Sequence, residues 1–403
     1  MNRAARFKAR DQVAIAGYAQ SPIVRHTDRP LGALAVDVSR AAIADAGLQV
    51  SDMDGFATGA LFPTAGGHAS VDGVSIVTSN WLAKALGVNP RFASGFQGYG
   101  QIPGAVSLAV GAITSGTADY VLLHRALHNP RHGGYHANPM VRAAGDAQWI
   151  APQGYWGPLS MIALPYNEYL QRYRATRASM AEVVVEARAH GATLPWSYWY
   201  DRPLTHEEYF NAPMLSDPVC RLDCDIPVDG VAAFVLTSAE RARDLPNNPV
   251  YVNGIAVGHP TVHRLPQHWP LDDIMEIGRE TCARLWQSSG VALEDVDVPQ
   301  LYDGFSPLVL FWLESLGYCP LGEAHRFVEE GGIRAHEGGL PVLSGGGALG
   351  NGRMHGIPQM LESYLQLARR AGNRQLAKAD VAVACHSSPH FGGAVLYTSA
   401  PVD

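Results

Sequence analysis

The feature that most constrains the fold of this 403-residue chain is an echo between its two halves. Near the start, Val13-Ala14-Ile15-Ala16-Gly17 has the apolar run of a buried strand. A helical pattern follows from Leu31 to Ala46, and Gly47 ends it. In the second half, Val250 to Val257 reads as a strand, Leu271 to Ser289 as a helix, and Gly290 as its end. Each helix-ending glycine precedes an aspartate by seven residues, Asp54 in one half and Asp297 in the other. The echo continues with a helical pattern from Val106 to Thr114, then the strand Ala118 to His124. Its counterpart is a helical pattern from Gln359 to Arg370, then the strand Ala379 to His386. Strand–helix–strand alternation argues for α/β layers, and two copies of one unit argue for a pseudo-two-fold pair of sheets around shared helices. The halves are placed at residues 1–245 and 246–403.

Inserted in the first half, residues 124–217 have another texture, rich in aromatics and loop formers such as Pro195-Trp196-Ser197-Tyr198-Trp199-Tyr200. Two helical patterns lie inside it, Ile162 to Arg174 and Ser179 to His190. The segment reads as an insertion that walls a substrate site, or as ordinary aromatic core.

Composition narrows the function. Hydrophobic residues make up 47% and charged residues 17%, which gives a large interior and a surface sparing in charge, as in a homodimer. The net charge of −7, with no long basic run, argues against nucleic-acid binding. No apolar stretch has the length of a signal or a membrane span, so a cytoplasmic location is expected. Five cysteines, an odd and sparse number, suit a reducing compartment rather than a disulfide framework. Cys220 and Cys224 lie four apart, but no second Cys/His pair with zinc spacing follows. His124, His128, His132 and His136 fall in an irregular loop context that suits lid or solvated histidines better than a metal site. No metal is expected.

Chemistry concentrates near the C-terminus. Tyr302-Asp303-Gly304-Phe305 follows an apolar run, and Gly345-Gly346-Gly347-Ala348-Leu349-Gly350-Asn351-Gly352-Arg353-Met354-His355-Gly356 opens a helix. Dense glycines let a backbone approach a ligand, and helix N-termini favour negative charge. The candidates for proton transfer here are Tyr302, Arg353 and His355, each with a plain structural alternative. Tyr302 also suits a tyrosine packed at a strand end, and Arg353 a surface residue at a helix start.

A duplicated α/β unit, a long insertion and a C-terminal glycine-rich segment resemble the thiolase superfamily over nearly the whole chain. Asp225-Ile226-Pro227-Val228-Asp229-Gly230-Val231-Ala232-Ala233 resembles the segment that closes the first thiolase half. The string Leu222 to Gly230, the loop Asp201-Arg202-Pro203-Leu204-Thr205 and the ending Met354-His355-Gly356 are similar to one branch, the thiolase-like lipid-transfer proteins of bacterial steroid catabolism. The resemblance implies a thiolase fold, with duplicated αβ halves in a five-layer αβαβα core.

A working thiolase also needs a nucleophilic cysteine at a helix start in its first half. Here Ala93 to Gly100 holds that place without a cysteine, and Tyr99 or a near neighbour stands at the nucleophile's position. Arg353 falls where the family's histidine stands, Tyr302 where its Asn or His stands, and Cys385 near its second cysteine. Without the nucleophile, acyl-enzyme chemistry is not expected. Some members of the branch also lack it, and the resemblance then implies retro-aldol cleavage of a β-hydroxyacyl-CoA with a small OB-fold, zinc-ribbon partner. Such a reaction needs a base for the β-hydroxyl, stabilisation of the enolate oxygen and an acid for Cα. We assign Tyr302 as base, with Arg353 and His355 beside it. Gly346, Gly347 and Gly352 supply the oxyanion loop, and Asp303, Cys385, His386 and Tyr99 are further candidates. The CoA thioester is the substrate, with no covalently bound cofactor. The alternatives are an acyltransferase with an unorthodox nucleophile and a non-catalytic acyl-CoA-binding scaffold.

Overall fold

The computed structural model describes residues 7–59, 74, 76–96, 101–128, 147–153, 155, 157–259 and 269–402. In the first half, the strands are β1 (Val13–Gln20), β2 (Gly55–Thr58), β3 (Phe92–Gly95) and β4 (Tyr120–Leu127), with α1 (Leu31–Asp45), α2 (Ser79–Leu86) and α3 (Gln101–Thr114) between them. The insertion holds α4 (Ala147–Ile150), α5 (Gly157–Tyr173), α6 (Ala178–Gly191), α7 (His206–Phe210) and a small hairpin, β5 (Met214–Ser216) with β6 (Val219–Cys220). Then β7 (Gly230–Ser238) and α8 (Ala239–Ala242) close the first half. The second half runs β8 (Val250–Val257), α9 (Leu271–Ser289), β9 (Val298–Gln300), α10 (Pro307–Leu316), α11 (Ala324–Glu329), α12 (Gly347–Asn351), α13 (Ile357–Leu367), β10 (Val381–His386) and β11 (Gly393–Thr398).

The duplication holds down to single hydrogen bonds. Asp54 accepts from the amides of Asp119 and Tyr120 at 2.9 Å, and Asp297 accepts from those of Asp380 and Val381 at 2.8 and 3.2 Å. These equivalent carboxylates pin β2 to β4 and β9 to β10 in the same parallel register, Gly55 beside Val121 and Val298 beside Ala382. Gly17 and Gly254, each the fifth residue of its strand, lack a side chain for one reason. A Cβ on Gly17 would stand 2.7 Å from Ala46, and one on Gly254 would stand 3.1 Å from Ser289. Those contacts are where α1 and α9 end, and Gly47 and Gly290 then take positive φ to stop each helix.

The strands form one nine-stranded sheet, in the order β3-β2-β4-β7-β1-β8-β11-β10-β9. The two expected sheets are therefore joined, through a short antiparallel contact of β1 with β8 at Ala14–Tyr251 and Ile15–Val250. The first strands of two halves related by a two-fold axis meet antiparallel at that axis, and their edges pair. Side-chain alternation still builds five layers. In β4, Leu122 faces α1 and α2, while Val121 and Leu123 face α3 and α13. In β10, Ala382 and Ala384 face α3 and α13, while Val383 and Cys385 face α9 and α10. The helix pair α3 and α13 is thus the shared middle layer.

The insertion does not stand apart. Tyr166, Tyr169 and Tyr209 are fully buried in the same cluster as α9 and α10, so for them the aromatic-core reading holds. The turn after α6 is fastened to α12: Ser197 Oγ donates to Gly350 O at 2.7 Å, and Tyr198 N–H donates to Asn351 O at 3.1 Å.

Candidate active site

Three chain segments meet at one place. The stretch before β7 brings Asp225, the turn after β9 brings Tyr302 to Phe305, and the loop between α12 and α13 brings Arg353 and His355. Backbone bonds lock them together: Asp225 N–H to Gly304 O at 3.2 Å, and Arg353 N–H to Ile226 O at 2.9 Å. The Tyr302 ring lies against Gly304, where a Cβ would meet the phenol oxygen at 2.5 Å, and the His386 ring lies beside it at 5.2 Å between centroids. Tyr302, His355 and His386 are each less than a tenth exposed.

Arginines dominate the electrostatics. His355, at the left-handed φ of 49°, turns Nε2 to the Arg353 guanidinium at 2.9 Å and Nδ1 to Arg125 of β4. Guanidinium groups only donate, and a neutral imidazole has one lone pair in the ring plane to offer. His355 therefore accepts from one of these two guanidinium groups at a time, while the other lies against its ring N–H. Arg353 continues the chain to Asp225, its Nη1 lying 3.4 Å from Oδ1. Burial pushes the Asp225 carboxyl up to about 6, with Arg353 opposing the rise. Neither of its oxygens has a hydrogen-bond partner among the described residues. Asp225 and Arg125 are the residues that reading the sequence missed.

Two amides of the glycine loop have partners of their own. The amide of Gly346 donates to Leu343 O at 2.7 Å, and that of Gly352 to Ala348 O at 2.8 Å, so neither is available to an oxyanion. Asp303 takes the next amides, Ala348 at 2.6 Å and Leu349 at 3.0 Å, and also the Gln359 side chain at 2.9 Å. It is a fully buried brace for α12, and burial lifts its carboxyl to about 7. The glycines are there for packing. A Cβ on Gly347 would strike the Asp303 carboxylate at 2.2 Å, and one on Gly350 would strike Ala187 O of α6 at 2.0 Å.

Cys385 is set in the core. It lies in β10 with its thiol in the apolar cluster under α9, and burial holds that thiol far above the ordinary range. Tyr99, His132 and His136 lie outside the described residues. His124 is buried and bonded through Nε2 to Val77 O at 3.0 Å, and His128 lies 3.8 Å from Asp229. Among the described residues, no group of three His, Cys, Asp or Glu is placed to hold a metal ion. Nor, among them, is any helix long and apolar enough to cross a membrane.

The duplicated register shows how the site was built. Arg125 lies six residues after Asp119, and His386 six after Asp380, so the two occupy equivalent places in β4 and β10. Tyr302 lies five after Asp297, and its counterpart five after Asp54 is Gly59, where a Cβ would meet the Gln101 carbonyl at 2.7 Å. The site therefore straddles the pseudo-two-fold axis.

Known proteins agree with this architecture. Residues 266–396 match the model for the thiolase C-terminal domain-like family. The 17-hydroxy-3-oxo-4-pregnene-20-carboxyl-CoA lyase of Mycobacterium tuberculosis is 31% identical, over 96% of this chain and 99% of its own. The steroid side-chain-cleaving aldolase of Thermomonospora curvata is 33% identical, over 87% and 88%. Among solved structures, the Ltp2-ChsH2(DUF35) aldolase superposes with a TM-score of 0.81 at 28% identity, covering 97% of this chain and 98% of that one. With a duplicated fold, a thiolase-like cradle and near full-length likeness of this order, the chain belongs to the thiolase superfamily, in the thiolase-like lipid-transfer branch that contains the steroid side-chain-cleaving aldolases.

Proposed function

We propose that this chain is a carbon–carbon lyase that cleaves the side chain of a β-hydroxyacyl-CoA, with a steroid or similarly bulky acyl group, by a retro-aldol reaction. The observation that carries the reading is the buried Tyr302 phenol, in a turn whose backbone is tied to the segment that bears the Arg353–Asp225 ion pair, while Cys385 is sealed in apolar core. That arrangement moves protons and stabilises an anion, and it needs no acyl-enzyme. Tyr302 accepts the proton of the β-hydroxyl. As the Cα–Cβ bond breaks, the β-carbon becomes a ketone and the electron pair passes into the thioester enolate. The Arg353 guanidinium, held by Asp225 and His355, stabilises the enolate oxygen, in place of the glycine-loop amides. Reprotonation at Cα releases the shortened acyl-CoA.

A partner and a second copy belong to this reading. The name of the structural relative joins Ltp2 with ChsH2(DUF35), which supports activity with a small OB-fold, zinc-ribbon protein, and the sparing surface charge supports a homodimer. Replacing Tyr302 by Phe should abolish cleavage of a 3-hydroxyacyl-CoA by the complex and leave the fold intact. Unimpaired cleavage by that variant would show that another group is the base, and trapping of an acyl-enzyme by mass spectrometry would instead establish acyl transfer.

A further inference from the structure

An enolate oxygen needs donors, and the amides of Gly346 and Gly352 are already bonded within their own loop. Side chains must take their place. Arg353 Nε and His355 Nε2 lie 2.9 Å apart, and the Arg125 guanidinium meets Nδ1 on the other edge of the same ring. A neutral imidazole has one lone pair in its plane, so the two guanidinium groups compete for it. Burial decides the contest. Arg125 is 3% exposed, whereas Arg353 is only partly buried and has the Asp225 carboxylate at 3.4 Å. The more deeply desolvated cation gains more from an acceptor. His355 also holds a φ of 49°, a costly conformation for a residue other than glycine and of the kind that collects at functional sites.

We propose that Arg125 is the positioning residue that fixes the tautomer of His355. By donating to Nδ1 it leaves the ring hydrogen on Nε2, where it joins the Arg353 guanidinium as a donor to the enolate oxygen. The inference rests on the lyase reading above and adds a residue to it. Which ring nitrogen of a histidine carries hydrogen is set by the bond that the other one makes. With its lone pair spent on Arg125, His355 turns an N–H toward the N–H of Arg353. Two donors 2.9 Å apart oppose each other until one acceptor takes both, and an oxygen gaining negative charge is such an acceptor. Asp225 meanwhile keeps Arg353 in place through Nη1. His355 donates a hydrogen bond and keeps its hydrogen, so the proton count of the reaction is unchanged. It stays neutral, since an imidazolium would have no lone pair for either guanidinium. Arg125 touches no substrate and acts only through the ring.

The test is heteronuclear NMR of histidine labelled at both ring nitrogens, in the enzyme isolated with its partner, with His355→Asn identifying the His355 signals. The wild type should carry hydrogen on Nε2 and none on Nδ1. Arg125→Met keeps the reach of the side chain and removes the donor. In that variant the hydrogen should move to Nδ1, so that Nε2 accepts from Arg353. A wild-type ring with hydrogen on Nδ1, or on both nitrogens, overturns the proposal even where Arg125→Met fails to fold.

Kinetics supply the second readout. In Arg125→Met, kcat for cleavage of a 3-hydroxyacyl-CoA should fall roughly 10- to 100-fold, less than the loss of a whole oxyanion donor, with KM within about threefold of wild type. Arg125→Lys keeps a donor for Nδ1 and should recover most of that loss. An unchanged kcat in Arg125→Met, or a loss confined to KM, refutes the assignment. If the Nε2 tautomer is present but the wild type cleaves no β-hydroxyacyl-CoA, the lyase reading fails and the hold of Arg125 on the tautomer stands.

Discussion

Gly350 offers the sharpest test of what the glycine-rich segment is for. If the loop were a ligand cradle, a methyl group on its α6-facing side would matter little. The structure places that methyl 2.0 Å from the Ala187 carbonyl oxygen and 2.8 Å from the carbonyl carbon. Both atoms are backbone of α6 and cannot swing away, and the shorter contact is about 1.4 Å inside the 3.4 Å where ordinary van der Waals contact begins. The α12 turn must then move by on the order of 1 Å. Overpacking of this kind typically costs about 1–3 kcal/mol, and the rigid partner puts Gly350→Ala at the upper end. Arg353 follows only three residues later, and a misplacement of about 1 Å at a catalytic group costs on the order of 10²-fold in rate. We expect kcat/KM for 3-hydroxyacyl-CoA cleavage to fall by roughly 10- to 100-fold, together with a lowered denaturant midpoint. Gly111→Ala is the control. It lies in α3 with nothing within 4 Å of its Cβ position, and it should stabilise by about 0.5–1 kcal/mol at unchanged activity. If Gly350→Ala matched wild type in both stability and kcat/KM, the packing argument would be wrong.

Other outcomes follow from buried groups. Cys385→Ala should keep at least half of the cleavage rate while losing about 1–2 kcal/mol in denaturant titration, as expected of a core thiol; a loss beyond about 10²-fold would reinstate it as a catalyst. His124 should make the fold acid-sensitive. Burial lowers it to about 4 against 6.5 when unfolded, so the unfolded chain binds the extra proton between those values. Stability should therefore drop by roughly 2 kcal/mol from pH 7 to pH 5 on this account alone. Guanidinium titrations of wild type and His124→Asn at both pH values check it, and an equal pH dependence in the two removes His124 as the cause.

Much of the fold was legible because strands and helices here carry their own punctuation. Leu271 to Ser289 with Gly290 behind it reads as an amphipathic helix with its stop, and the structure has those bounds. β7 and β11 were not named as strands, since a wholly buried run such as Gly230 to Ser238 has no alternation to read. The joined sheet was also invisible, because a contact of two residue pairs leaves no trace in periodicity. At the site, Tyr302 and Arg353 stood out by their neighbours in sequence. Asp225 did not, because its distinction lies in the loss of water and partners around it, and Arg125 reaches His355 from 230 residues away. Glycines alone cannot separate two demands, because a ligand and a packed helix both require the absence of a Cβ.

The equivalence of Arg125 and His386 carries an evolutionary meaning. A site on the axis of a duplicated protein begins with identical groups on either side, and such a site has no preferred direction for charge. Here one copy became a permanent cation and the other an aromatic ring tilted against Tyr302, while Gly59 leaves the first half without a side chain where the second placed its phenol. Divergence at a few mirrored positions thus gives the two sides of the axis different charge and different chemistry.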